Sequence, residues 1–74
     1  MKISYDPEAD ALYIELSGAE PADSMDIEDG VTVDLDSNGH MVGIEILDAQ
    51  ERLGAESLDS VVIEVLREPL RETA

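Results

Sequence analysis

The sequence contains no cysteine, no tryptophan and no phenylalanine, and its only aromatic residues are Tyr5 and Tyr13. Without cysteine there is no disulfide framework, no thiolate nucleophile and no Cys-based zinc or iron–sulfur site. Two tyrosines do not make a stacking platform for the bases of single-stranded nucleic acid. Basic residues are nearly as scarce: 4 Lys and Arg stand against 19 Asp and Glu, for a formal net charge of -15. So acidic a chain lacks the cationic footprint that phosphate backbones and anionic membrane surfaces require, which argues against nucleic acid and membrane as partners. No apolar run approaches the ~20 residues that span a bilayer. The N-terminal MKISYDPEADALYIEL places acids and a proline where a secretory leader needs an unbroken apolar stretch. The expectation is a soluble, cytoplasmic protein whose natural ligands are basic proteins or cations.

What is present suffices for folding. Ile, Leu and Val make up 20 of the 74 residues, above the ~20% floor below which a highly charged chain stays unfolded. The length fits one domain, residues 1–66, with the polar, Pro69-containing stretch 67–74 as a frayed tail. A chain this short buries only about 60–65% of its unfolded surface, so its core is thin.

Apolar residues recur with a period of two over most of the length, which specifies β-strands. Lys2 to Tyr5 is a short strand, DPEAD (6–10) is turn chemistry, and Ala11 to Leu16 is a second strand with Leu12, Ile14 and Leu16 on one side. After a loop, SGAEPADS, residues Met25 to Leu47 read as a three-stranded meander. A two-residue type I′ turn at Asn38-Gly39 sets Leu35 opposite Val42, Val33 opposite Ile44, Val31 opposite Ile46, Thr32 opposite Glu45 and Asp34 opposite Gly43. Every apolar pair then shares one face, a match that a one-residue slip destroys. By the same criterion a three-residue loop, Glu28-Asp29-Gly30, sets Ile27 opposite Val31 and Met25 opposite Val33. Asp48 and Glu51 stand at capping-box spacing and Gly54 supplies a stop, so Ala49 to Leu53 is a short helix. The β-branched run Val61 to Leu66 reads as a strand, with the tail of a second helix beginning near Ser57 as the alternative. The fold class is α+β: an antiparallel sheet of four or five strands, hairpin plus meander, with one short helix packed on its apolar face.

One motif is sharp on paper. Asp34 to Glu45, DLDSNGHMVGIE, satisfies the calcium-loop expression D-x-[DN]-x-[DN]-G-x5-E, with Asp34, Asp36, Asn38 and Glu45 at liganding positions. That loop, however, hangs between helices, whereas VTVDL enters and VGIEI leaves with strand alternation. The hairpin reading therefore takes precedence, leaving weak divalent-cation binding on the acidic hairpin face as an alternative. His40, the sole histidine, falls opposite Ser37 at the hairpin tip, where no pocket surrounds it. No nucleophile elbow, glycine-rich phosphate loop or H-E-x-x-H is present, and acids on exposed strands and turns lack the contrast of environments that splits catalytic pKa values. No catalytic residue, cofactor or metal site is expected, and the chain reads as a non-enzyme. The tyrosines fill core or interface volume at one end of the sheet.

The compound pattern Tyr5-Asp6, Glu8, Asp10, Leu12-Tyr13-Ile14, Asp29-Gly30, Asp34, Gly39, Gly43-Ile44-Glu45 and Asp48-Ala49 resembles a family of short prokaryotic proteins, domain of unknown function 2283, from Met1 to about Leu53. The resemblance implies a small uncharacterised acidic protein with no established catalytic residues to carry over. It also implies a possible role as an antitoxin-like partner of a basic toxin protein. The leading functional expectation is a non-enzymatic interaction module that binds a basic protein. Because the helix offers few side chains to cover the sheet, a homodimer is the structural expectation.

Overall fold

The computed structural model describes residues 1–67. Five strands, β1 (Lys2–Asp6), β2 (Ala11–Glu15), β3 (Asp23–Glu28), β4 (Val31–Leu35) and β5 (Met41–Leu47), precede a helix, α1 (Ala49–Leu53), and a 3-10 turn at Ala55–Leu58. The strands form one sheet in the order β1-β2-β5-β4-β3, every neighbouring pair antiparallel. The α+β class, the hairpin, the meander and the helix therefore stand, and the described residues hold five strands. One strand of the meander, β5, joins it to the hairpin by pairing with β2, which brings Leu12 opposite Ile46 and Ile14 opposite Ile44.

Register explains the two faces. Directly opposed residues share a face, so Ile3, Ile14, Ile44, Val33 and Met25 form one cross-strand row, and Tyr5, Leu12, Ile46 and Val31 the next. This apolar face receives α1: Leu53 and Leu58 approach Ile3, Leu12 and Ile14 around a groove of about 510 Å³. Coverage is sparse. Among the described residues only Val33, Val42 and Ala49 are buried hydrophobics, and Leu53 is still 40% exposed. The molecule is a slab, 43 × 34 × 20 Å.

Both hairpins of the meander depart from the expected turns, and in the same manner. At the β4–β5 tip the loop has three residues: Asp36 N donates to His40 O (2.8 Å), Gly39 N donates to Asp36 O (3.0 Å), and Gly39 has φ 83°. Asp36 drives this choice. Its Oδ1 accepts from the backbone N–H groups of Asn38 and His40, both at 2.9 Å, which favours a type I turn closed by a left-handed glycine over type I′. Leu35 consequently pairs with Met41, not Val42, and His40 pairs with Asp36, not Ser37. A bulge at Val42 then restores the expected register, with Asp34 opposite Gly43 and Val33 opposite Ile44. At the β3–β4 end the loop is Asp29-Gly30, Glu28 pairs with Val31, and Ile27 bulges out, 58% exposed, instead of facing Val31. Met25 still meets Val33. In each case a turn one residue off is cancelled by a bulge, because burying one face fixes the inner register more strongly than turn preference fixes the loop.

The start of α1 is also built differently. Asp48 has left-handed φ, 53°, and makes no capping bond. Asp10 caps the helix from the β1–β2 turn instead: its carbonyl accepts from Ala49 N (3.1 Å) and its Oδ1 from Gln50 N (3.1 Å). Asp10 Oδ1 also accepts from Tyr5 Oη (2.7 Å), and Gln50 Nε2 donates to that phenol oxygen (3.1 Å). Gly54 ends the helix as expected, donating to Gln50 O. Across the molecule Arg52 Nη1 pairs with Glu28 Oε2 at 2.8 Å, its Nε donates to Leu47 O at 3.0 Å, and its Nη2 to Asp29 O. One guanidinium thus ties the helix to β5 and to the β3–β4 turn.

Val61–Leu66 is not a strand. The segment joins neither sheet edge and all of it is exposed. The frayed tail expected from residue 67 onward lies, past Arg67, outside the described residues.

Candidate functional site

The face opposite the helix holds the chain's organised polar groups. One cross-strand row reads Lys2, Glu15, Gly43, Asp34, Ser24, and the next reads Ser4, Tyr13, Glu45, Thr32, Asp26. Strand alternation puts them there: each is the outward partner of an inward Ile, Val or Leu. Asp6, at the end of β1, belongs to the same face, which therefore sets five carboxylates against the single Lys2.

Tyr13 organises the centre. Its ring leans across Gly43, the one position of its neighbourhood without a side chain, and its Oη donates to Asp34 Oδ2 at 2.7 Å. A Cβ on Gly43 would lie 2.0 Å from that hydroxyl. Donation to a carboxylate holds the phenol protonated, and with partial burial and the nearby charges of Asp34, Glu15 and Glu45 its pKa is pushed up to about 12. Thr32 Oγ1 donates similarly to Asp26 Oδ1 (3.0 Å). Beside Tyr13 and Glu15 the β2–β3 connection, Ser17 to Pro21, arches past Val42 and leaves an open hollow of about 410 Å³. The connection is anchored by the Val42 carbonyl, which accepts from Leu16 N (2.8 Å) and Ser17 N (3.3 Å), and by Ala22 N donating to Leu35 O (2.8 Å).

The residues of the calcium-loop expression are not gathered. Asp34 and Glu45 stand on adjacent rows of the acidic face, Asp34 already engaged by Tyr13. Asp36 and Asn38 lie at the hairpin tip, and the hydrogen bond from His40 N, helped by that from Asn38 N, holds the Asp36 carboxyl below its ordinary value against the opposing desolvation. Among the described residues no three His, Asp or Glu side chains form a group suited to a metal ion. His40 is exposed. The tyrosines do not share an end of one face: Tyr5, opposite Leu12, is on the apolar side, and Tyr13 on the acidic side. Sequence reasoning missed the Tyr13–Asp34 pair. The available signal was Gly43, since a glycine inside a strand marks close approach of another group.

No helix among the described residues is long and apolar enough to cross a membrane. Fold and face together define a small, acidic, single-sheet α+β protein. Residues 2–50 match the family described as Protein of unknown function (DUF2283), and the chain belongs to that family. An uncharacterised protein, MJ0789, of Methanocaldococcus jannaschii is 39% identical over 59 residues, 80% of this chain and 50% of the relative. The chain therefore spans about half the length of the curated relative it matches. No solved structure matches. The matched region covers the whole sheet and the start of α1, so the acidic face falls inside it.

Proposed function

We propose that the chain is a non-enzymatic interaction module whose acidic sheet face receives a basic protein. One observation carries the reading: Asp6, Glu15, Asp26, Asp34 and Glu45 share a face with Lys2 alone, and no element of the described chain packs over its centre. Like charges held on a flat sheet repel one another, so a cationic partner relieves strain as well as gaining attraction. The polar hydrogens of Tyr13 and Thr32 are spent on Asp34 and Asp26, which fixes those carboxylates as acceptors facing outward. An antitoxin-like pairing with a basic toxin is one form this would take. A cytoplasmic setting belongs to the same reading, and a composition free of cysteine is consistent with a reducing compartment.

The test compares the full chain with the triple variant Glu15→Gln, Asp26→Asn, Glu45→Gln, each immobilised in lysate of the source cell. The wild type should retain a discrete basic protein that the variant loses, with retention falling about tenfold or more as salt rises through the Debye-screening range. Equal capture by the neutralised face, or capture indifferent to salt, would overturn the proposal.

A further inference from the structure

The acidic face leaves the other side of the slab unexplained. Stable domains stack at least two layers around a core, since a sheet that is apolar on one face must bury it. Here the second layer is a five-residue helix that buries Ala49, together with a 3-10 turn. The surface shows the shortfall. The accessible area is 5627 Å² for 8.0 kDa, whereas a compact monomer of that mass presents about 4,500 Å². The radius of gyration is 14.9 Å, against about 11 Å for a compact chain of this length.

Among the described residues, eight of the twelve large exposed hydrophobics lie on the groove or in the 61–66 segment beside it. Met1 (76%) and Ile3 (36%) line the groove on one side, Leu53 (40%) closes an end, and Val61 (60%) and Ile63 (69%) line the other side. Val62, Val65 and Leu66 of the same segment are exposed at 85%, 66% and 74%. Monomers rarely expose contiguous apolar patches beyond a few hundred Å². The sequence pattern of this run is that of a strand, yet within one chain it joins no strand.

We propose that a second copy of this chain covers the apolar face, the two sheets stacking across a two-fold axis with the 61–66 segments of both copies inside the contact. The area fits. A standard stable interface takes about 800 Å² from each partner, within the roughly 1,100 Å² by which this chain exceeds a compact monomer. The charge distribution fits as well. Glu15, Asp26, Asp34 and Glu45 lie on the opposite face, so stacking apolar sides turns both acidic faces outward and keeps them a double layer apart. Stacking by the acidic faces would press them together. An isologous contact of this kind closes at two copies.

Sedimentation equilibrium of the full chain tests the proposal, with Ile63→Glu as the contact variant and Ala19→Glu, the same change of charge on the exposed β2–β3 connection beside the acidic face, as the control. Because Ile63 is exposed, circular dichroism should show the variant folded. The expected result is a dimer in the low micromolar range that tightens with added salt, weakened at least tenfold by Ile63→Glu and unchanged by Ala19→Glu. A wild type that sediments as a monomer at several hundred micromolar overturns it, as does a dimer indifferent to Ile63→Glu. Should Ile63→Glu unfold the chain, Val61→Lys, on the same groove lining, gives a second reading of the same contact, with the same two outcomes.

Discussion

Replacing Gly43 with alanine probes the centre of the acidic face with a single methyl group. That methyl would stand 2.0 Å from Tyr13 Oη and 2.6 Å from Cζ, so the ring has to leave its place over β5. The ring's departure breaks the 2.7 Å bond to Asp34. A hydrogen bond to a charged partner is worth about 1.5–3 kcal/mol, and water on this open face argues for the lower end. Crowding of the displaced ring adds about 1–3 kcal/mol, while alanine in a strand interior recovers about 0.5–1 kcal/mol relative to glycine. The net is a loss of about 2 kcal/mol, or about 10 °C in Tm for a domain of this size. Thermal melts of Gly43→Ala, Tyr13→Ala and the double variant resolve the cause. If the ring is the obstacle, Gly43→Ala costs about 2 kcal/mol in the wild type and nothing, or a small gain, in the Tyr13→Ala background. A similar cost in both backgrounds would refute the contact, and so would a harmless Gly43→Ala in the wild type.

Three further outcomes follow from the same geometry. The Tyr13 phenol, raised from its ordinary 10.0 to about 12, favours the folded state while protonated. Its contribution is complete below pH 10 and is lost as pH rises from 10 towards 12, and Asp34→Asn should bring its phenolate absorbance titration back toward 10. Arg52→Ala should lower the urea midpoint by the equivalent of about 1–2 kcal/mol. Arg52→Lys should recover less than half of that, because one ammonium cannot hold Glu28 and two carbonyls as a planar fork does; full recovery by lysine would contradict the three-point clip. Asp10→Ala should cost about 1–2 kcal/mol, the worth of a helix cap, while Asp48→Gly should be neutral or stabilising at a left-handed position without a capping bond. Chemical denaturation of the pair decides it, and equal losses would restore Asp48 as the cap.

The inner register of the meander was legible because each opposed pair is a decision about burial. Val31, Val33, Ile44 and Ile46 can share a face in only one alignment, and alternation reveals it. Loop lengths were not, because they depend on side chains that period-counting ignores. Asp36 selects the three-residue turn through two backbone hydrogen bonds, and its position at the first corner of a type I turn was a readable sign. Arg52, which grips Glu28 and the Asp29 carbonyl from 23 or 24 residues away, left no local trace. Asp10 capping a helix 40 residues later is equally invisible to a local capping rule. Val61–Leu66 shows a different limit: its composition favours a strand, but a strand needs an edge to join, and composition does not say on which chain that edge lies.

The strand order β1-β2-β5-β4-β3 has a consequence for synthesis. The β1–β2 hairpin is made before the strand that completes its pairing, because β2 pairs on its inner side with Met41–Leu47. An isolated two-stranded hairpin is marginal in water, so on the ribosome residues 2–15 acquire a lasting partner only once β5 has emerged. The last strand of the described residues is the middle of the sheet. The crossing from Leu16 to Ala22 is then a tether held by backbone bonds at both ends. A cut within Gly18–Pro21 should leave two pieces that are separately poor in structure and that rebuild the sheet on mixing.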